Sequence, residues 1–274
     1  MFNYESFIGR LDEEPLDSYP ADGGFVGVLR TIACVGDSLS SGEFEAVNTI
    51  TGNRMYMDRF DHSWGQHIAR MAGCTVYNFS RGGMTAKEYN ENFGNLMGYF
   101  RPELAANAYI IALGVNDLLN RGMEVGSADD ICLEDWRKNA DTFTGHYAAI
   151  IQRYKKIRPE AKFFLVNFPR PQAGAPEARV RASAEHDAAL RKLCEIFTNT
   201  YLIDLRTYGP DMDAAFRAKF YLGGHLAPSG YLLMGKIFVS YLDYIIRHNF
   251  EAFRTVGLHG IEYETTDGTE KNIL

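Results

Sequence analysis

Ile32-Ala-Cys-Val-Gly-Asp-Ser-Leu-Ser-Ser-Gly42 is a short apolar run that stops abruptly at Gly36-Asp37-Ser38-Leu39. In open α/β sheets ligands gather outside the carboxyl ends of the strands, and a glycine there lets the backbone bend and push the next side chains into the crevice. Read this way, the stretch is a buried strand with Ser38 at its end, which is how a nucleophile is mounted. Alone, the same residues more often describe a turn in which Asp37 caps the next helix. Their meaning depends on what stands at the other strand ends.

Apolar runs of strand length recur at residues 30–35, 75–79, 109–113, 162–167 and 200–205, with helical patterns between them. Such alternation predicts βα units in a parallel sheet. Helical periodicity is clearest over residues 133–157, 177–197 and 229–248, and weaker over 64–71 and 86–99. In the last long stretch Leu233, Ile237, Tyr241 and Ile245 form one apolar stripe. The expected fold is a three-layer α/β/α sandwich around a five-stranded parallel sheet with right-handed crossovers. No Pro/Gly/Ser-rich linker interrupts the chain, so residues 1–274 read as one domain, with 1–28 an N-terminal extension and 250–274 a C-terminal tail. The tail's final polar section, residues 262–274, reads as poorly packed or an edge extension. Two segments exceed minimal connections, residues 43–61 and 118–130. Long loops on this side of a sheet serve as lids or binding loops, or are solvated excursions. The first carries Met55, Tyr56, Met57 and Phe60, which suit either a local cap on the core or a substrate groove.

A net charge of -7, with basic residues scattered and not striped, argues against nucleic acid as a partner. The first 24 residues hold six acidic side chains and no apolar h-region, from which cytoplasmic residence is expected. No apolar run is long enough to span a bilayer. Cys34, Cys74, Cys132 and Cys194 lie too far apart for zinc or redox pairs and read as ordinary buried thiols. His62 and His67 have no acidic partner at ligand spacing, so no metal is expected.

Three other positions stand at strand ends or just before the final helix. Asn78-Phe-Ser-Arg-Gly-Gly83-Met-Thr85 follows the second strand; its paired glycines let a backbone N–H point outward, and Thr85 suits a helix N-cap. Gly114-Val-Asn116-Asp117 follows the third. Gly223-Gly-His225-Leu-Ala-Pro-Ser-Gly-Tyr231 sets a histidine in a loop ahead of the last helix. Each has an ordinary structural reading. The four blocks in this order, spanning residues 36–231, nevertheless resemble the SGNH hydrolases, also called the GDSL esterase and lipase family.

The resemblance implies a flavodoxin-like SGNH fold and a cofactor-free serine esterase acting on O-acyl or O-acetyl groups of a small-molecule ester, on carbohydrates or lipids. It implies Ser38 as nucleophile, His225 as general base, and an oxyanion hole from the N–H groups of Ser38 and Gly83 with the side-chain amide of Asn116. Asp37 and Asp117 read as structural, each able to satisfy turn N–H groups. One departure matters. Members of the family usually carry an aspartate three residues before the histidine, and here that position is Leu222. Asp204, at the end of the fifth strand, is the first candidate to orient the imidazole; Asp211, Asp213 and a backbone carbonyl are the others. Loss of the acid also leaves open a non-catalytic ligand-binding member of the same fold. Trp64 reads as core, and Arg170 as a loop cap more than as a contact to a substrate carboxylate or phosphate.

Overall fold

The computed structural model describes residues 12–261. Five parallel strands form the central sheet: β1 (Thr31–Gly36), β4 (Thr75–Ser80), β5 (Ala108–Ala112), β6 (Lys162–Val166) and β7 (Thr200–Ile203), side by side in the order β4-β1-β5-β6-β7. This is the doubly wound arrangement whose topological switch point lies between β1 and β5. The expected strands and sheet are therefore present, with boundaries shifted by one or two residues.

Alternation along the strands feeds two cores. Ile32 and Cys34 of β1 join Ile110, Phe164 and Ile203 on one face, while Ala33 and Val35 join Tyr109, Ile111, Phe163 and Leu165 on the other. The first face is covered by α2 (Trp64–Ala72) and α6 (Pro228–His248), where Trp64 meets Phe238 edge-on at 4.6 Å between ring centroids. The second is covered by α3 (Phe143–Ile157) and α4 (Glu177–Ile196). The stripe of the last helix faces the core as Ile237, Tyr241 and Ile245, while Leu233 is only half-buried. No helix among the described residues is long and apolar enough to cross a membrane.

The structure departs from the sequence reading in several places. Residues 133–141 form no α-helix, only a 3-10 turn at Trp136–Lys138, because Asp135 accepts from the Arg137 N–H and Asn139 from the Cys132 N–H, and α3 begins only after Thr142 caps Gly145. Short polar side chains that bond local backbone compete with the helix in this way. Residues 86–96 form a helix with a π-type turn at Tyr89–Phe93, where the Asn90 side chain bonds the Ala86 carbonyl. The segment 118–130 is tied to α3 through backbone bonds from Phe143 and Thr144 to Glu124 and Val125. Of the four thiols only Cys34 is fully buried.

The expected loop at 43–61 is mostly a β-hairpin, β2 (Glu43–Val47) paired antiparallel with β3 (Arg54–Asp58). Asn48 closes it by accepting from the Ile50 and Thr51 N–H groups. At the C-terminus, residues 250–261 are not a loose tail. Phe253 and Val256 are buried, and the Asn107 amide bonds the Val256 and His259 carbonyls. The expectation for residues 262–274 lies outside the described residues.

Candidate active site

Strand register assembles the site. Gly36 at the end of β1 pairs with Ser80 of β4 and with Ala112 of β5, so the turns that follow all three strands emerge along one edge. After β1 the chain enters a one-turn helix, α1 (Ser38–Ser41). It is capped by Asp37, whose carboxylate accepts from the Leu39 N–H at 3.0 Å. As the first residue of that turn, Ser38 has no carbonyl four residues back for its N–H to bond. After β4, Gly83 adopts φ +71, a left-handed conformation that favours glycine, and its α-carbon faces open space.

After β5, Asn116 and Asp117 tie this edge together. The Asn116 amide donates to the Met84 carbonyl at 3.1 Å and lies 3.5 Å from Asp37, and its own oxygen accepts from Asn120. Asp117 accepts from the Ala86 N–H at 2.8 Å. Burial, with Asp117 and Glu43 nearby, pushes Asp37 up to about 7 against the pull of the Leu39 N–H; burial likewise pushes Asp117 up to about 6. Both aspartates are engaged in holding turns.

His225 opens β9 (His225–Leu226), which pairs with β8 (Tyr221–Leu222) and packs against α1 and β2. The fold thus brings the strand-end serine turn and the histidine loop together across most of the chain. Tyr231 reinforces the junction, donating to the Glu43 carbonyl at 2.7 Å. No hydrogen bond joins Ser38 to the imidazole. Its Nε2 lies 3.1 Å from Glu43 and its Nδ1 3.5 Å from Glu45, with the Tyr56 ring edge-on at 5.6 Å between centroids.

Asp204 does not orient His225. Its oxygens accept from the Asn167 amide at 2.8 Å, from the Thr207 N–H at 2.9 Å and from Arg191. Burial works against its charge, but those donors hold the carboxyl below its ordinary range. Asp211 pairs with Arg170 at 2.7 Å, and Asp213 caps the helix α5 (Ala214–Phe220) by accepting from Phe216. Arg170 also donates to the Arg206 and Thr207 carbonyls, the loop-capping role expected for it. The carboxylates that reach the imidazole, Glu43 and Glu45, come from β2. The sequence reading passed over them, although their spacing of two on a strand was a usable signal.

Beneath α1 lies a cavity of about 100 Å³ lined mostly by apolar side chains, among them Leu39, Trp64, Val115, Phe168, Met234 and Phe238. Trp64 is thus at once core and cavity wall.

The doubly wound sheet with these four turns on one edge defines an SGNH-type α/β protein. The chain belongs to the GDSL-like lipase/acylhydrolase family of carboxylic ester hydrolases, whose model matches residues 34–233. Among solved structures it is similar to a carbohydrate esterase family 2 enzyme with a carbohydrate-binding domain from Corynascus thermopiles (Myceliophthora fergusii), at 16% identity over 89% of this chain and 69% of that one, TM-score 0.54. It is also similar to a family 3 carbohydrate esterase from Clostridium thermocellum, at 18% identity over 80% and 98%, TM-score 0.51. The psychrotrophic esterase EstA from Pseudoalteromonas sp. is 15% identical over 79% and 98%, TM-score 0.51. At these identities the likeness is one of fold. No curated protein sequence matches.

Proposed function

We propose that this protein hydrolyses carboxylic esters through an acyl-enzyme on Ser38. The observation that supports the reading is the packing of α1, which opens on Ser38, against β9, which opens on His225, at the carboxyl edge of the sheet. His225 takes the hydroxyl proton as Ser38 Oγ attacks the ester carbonyl carbon. The resulting oxyanion is held by the N–H groups of Ser38 and Gly83 and by the Asn116 amide. Collapse expels the alcohol, which receives the proton from His225. Water, deprotonated by the same imidazole, then attacks the acyl carbonyl and releases the acid and free Ser38.

The apolar cavity beneath α1 suits a short acyl group, and the fold is shared with carbohydrate esterases. O-acetyl groups on carbohydrates are accordingly the first substrates to try, with lipid esters second. A binding protein without turnover is the contrary reading; Leu222 and the Glu43 contact at Nε2 favour it.

Turnover of 4-nitrophenyl acetate, 4-nitrophenyl octanoate and acetylated oligosaccharides by native protein and Ser38→Ala separates the two. The esterase reading expects release of acid from at least one ester, with a fall on the order of 10³-fold or more in Ser38→Ala at unchanged folding. Folded native protein that turns over none of them, or Ser38→Ala that keeps native activity, overturns it.

A further inference from the structure

Side chains two apart on a strand share a face, and on β2 that face is turned to His225. Glu43 lies at Nε2 and Glu45 at Nδ1, and both glutamates are largely shielded from solvent. Across β8–β9 the residue directly opposite His225 is Leu222, which offers the ring no acceptor. Resting on the esterase reading, we propose that Glu45 is the positioning carboxylate of His225, so that the third member of the catalytic centre is delivered by the β2–β3 hairpin and not by the histidine's own loop.

Three features single out Glu45. First, its carboxylate is itself fixed, accepting from the Gly224 N–H at 2.7 Å and pairing with Arg54 at 2.9 Å. Second, the histidine loop is shaped around it: Gly223 has φ +63, and a Cβ at that position would stand 2.5 Å from the Glu45 carboxylate. Third, the Gly224 N–H chiefly lowers its pKa, so it is held as an anion. A carboxylate at Nδ1 selects the tautomer with Nδ1 protonated and leaves Nε2 as the base. It also stabilises the imidazolium formed when Ser38 gives up its proton. The 3.5 Å separation is longer than a good hydrogen bond, and catalytic contacts of this kind shorten when substrate closes the site.

Glu43 has a different place. Its carboxylate reaches Gly82, beside the oxyanion turn, so tightly that a Cβ there would lie 2.2 Å from it, and burial raises its pKa. It occupies the Nε2 side, from which Ser38 and the ester carbonyl must be reached, and has to swing away for turnover. The groups facing the imidazole are therefore Glu43, Glu45 and the Tyr56 ring, with Arg54 behind Glu45.

The test compares 4-nitrophenyl acetate kinetics across pH for native protein, Glu45→Gln, Glu43→Gln, Leu222→Asp and the double variant Glu45→Gln/Leu222→Asp. Glu45→Gln is expected to lower kcat on the order of 10²-fold or more while KM changes by less than about threefold. It should also move the acidic limb of the pH profile to lower pH, because the imidazolium loses its anion. Cross-strand neighbours lie within side-chain reach, so the double variant should regain about tenfold or more over Glu45→Gln, a rescue that a merely structural role for Glu45 would not produce. Native kcat in Glu45→Gln overturns the inference, as does a loss seen in Glu43→Gln and not in Glu45→Gln. So does a folded double variant no better than Glu45→Gln when Leu222→Asp alone remains active. Inactivity of the native protein, by contrast, is a failure of the esterase reading itself.

Discussion

Two regions supply carboxylates around the candidate site, and they treat them differently. Along the edge of the parallel sheet, Asp37, Asp117 and Asp204 are all engaged by backbone N–H groups, with Asn167 and Arg191 added at Asp204. On the β2–β3 hairpin, Glu43 and Glu45 face an imidazole. The role of an acid here is decided by which donor reaches it first, and at the sheet edge the turns and helices reach first. Asp204 stands on the expected side of the sheet, yet a helical arginine and a strand-end amide claim it.

Four measurements can break or sharpen this contrast. The largest effect is expected at the sheet edge for a residue that is not an acid: Asn116→Ala should lower kcat on the order of 10²–10³-fold by removing one oxyanion donor, with little change in KM. Steady-state kinetics on 4-nitrophenyl acetate read it directly, and near-native kcat would remove Asn116 from the oxyanion hole.

Next is the thermodynamic signature of Asp37. Its folded pKa, about 7, lies above the ordinary 3.8, so the native state binds the proton more tightly than the unfolded chain. Stability from this group is then fully present below about 4 and is lost as pH rises to about 7. Asp37→Asn keeps an oxygen for the Leu39 cap and removes the charge. Relative to native protein its unfolding free energy should therefore rise between pH 4 and pH 8, by at most about 4 kcal/mol. A difference that stays flat or falls over that range contradicts the assignment.

Asp204→Asn should cost about 2 kcal/mol of stability, by weakening the bonds to Arg191 and Thr207, while kcat stays within about threefold of native. Urea denaturation and kinetics on the same sample separate the two regions: a large kcat loss at unchanged stability would return Asp204 to the catalytic centre. Smallest is Arg54→Gln on the hairpin. Arg54 is exposed, so solvent screens its pairing with Glu45 and folding stability should be little changed. Because the Gly224 N–H still holds Glu45, kcat should fall by less than about fivefold. A larger loss would show that Arg54, not Gly224, fixes the carboxylate.

The legible parts of the molecule were those with a period or a local rule. The five sheet strands could be read because the central three, β1, β5 and β6, are buried almost throughout and mostly apolar, and the edge strands β4 and β7 keep short apolar cores. Both long core helices at residues 177–197 and 229–248 followed from their stripes. Three turns could be placed because each lies within a few residues of a sheet strand's end, and the histidine loop because it runs directly into the last long helix. The hairpin could not be read so easily. Every residue of β3 is exposed, and β2 alternates glutamates with apolar side chains, so no core imposes a hydrophobic period. Its cue was the turn chemistry of Asn48 through Asn53, with Gly52 at φ +73. The partner of His225 was hidden for another reason. Glu45 and His225 meet only through tertiary packing, and no spacing rule links positions so far apart in the chain. Leu222 marks a carboxylate missing from its usual place, and nothing local to it points to the hairpin.

The central claim is that Ser38 is a nucleophile activated by His225. Mass-spectrometric mapping of the adduct formed by a serine-directed fluorophosphonate tests it most directly, because the reagent reports nucleophilicity without needing the natural ester. The account predicts one adduct per chain, located on Ser38 and abolished in Ser38→Ala and His225→Asn. Folded native protein that remains unmodified, or that carries its adduct on another residue, would contradict it.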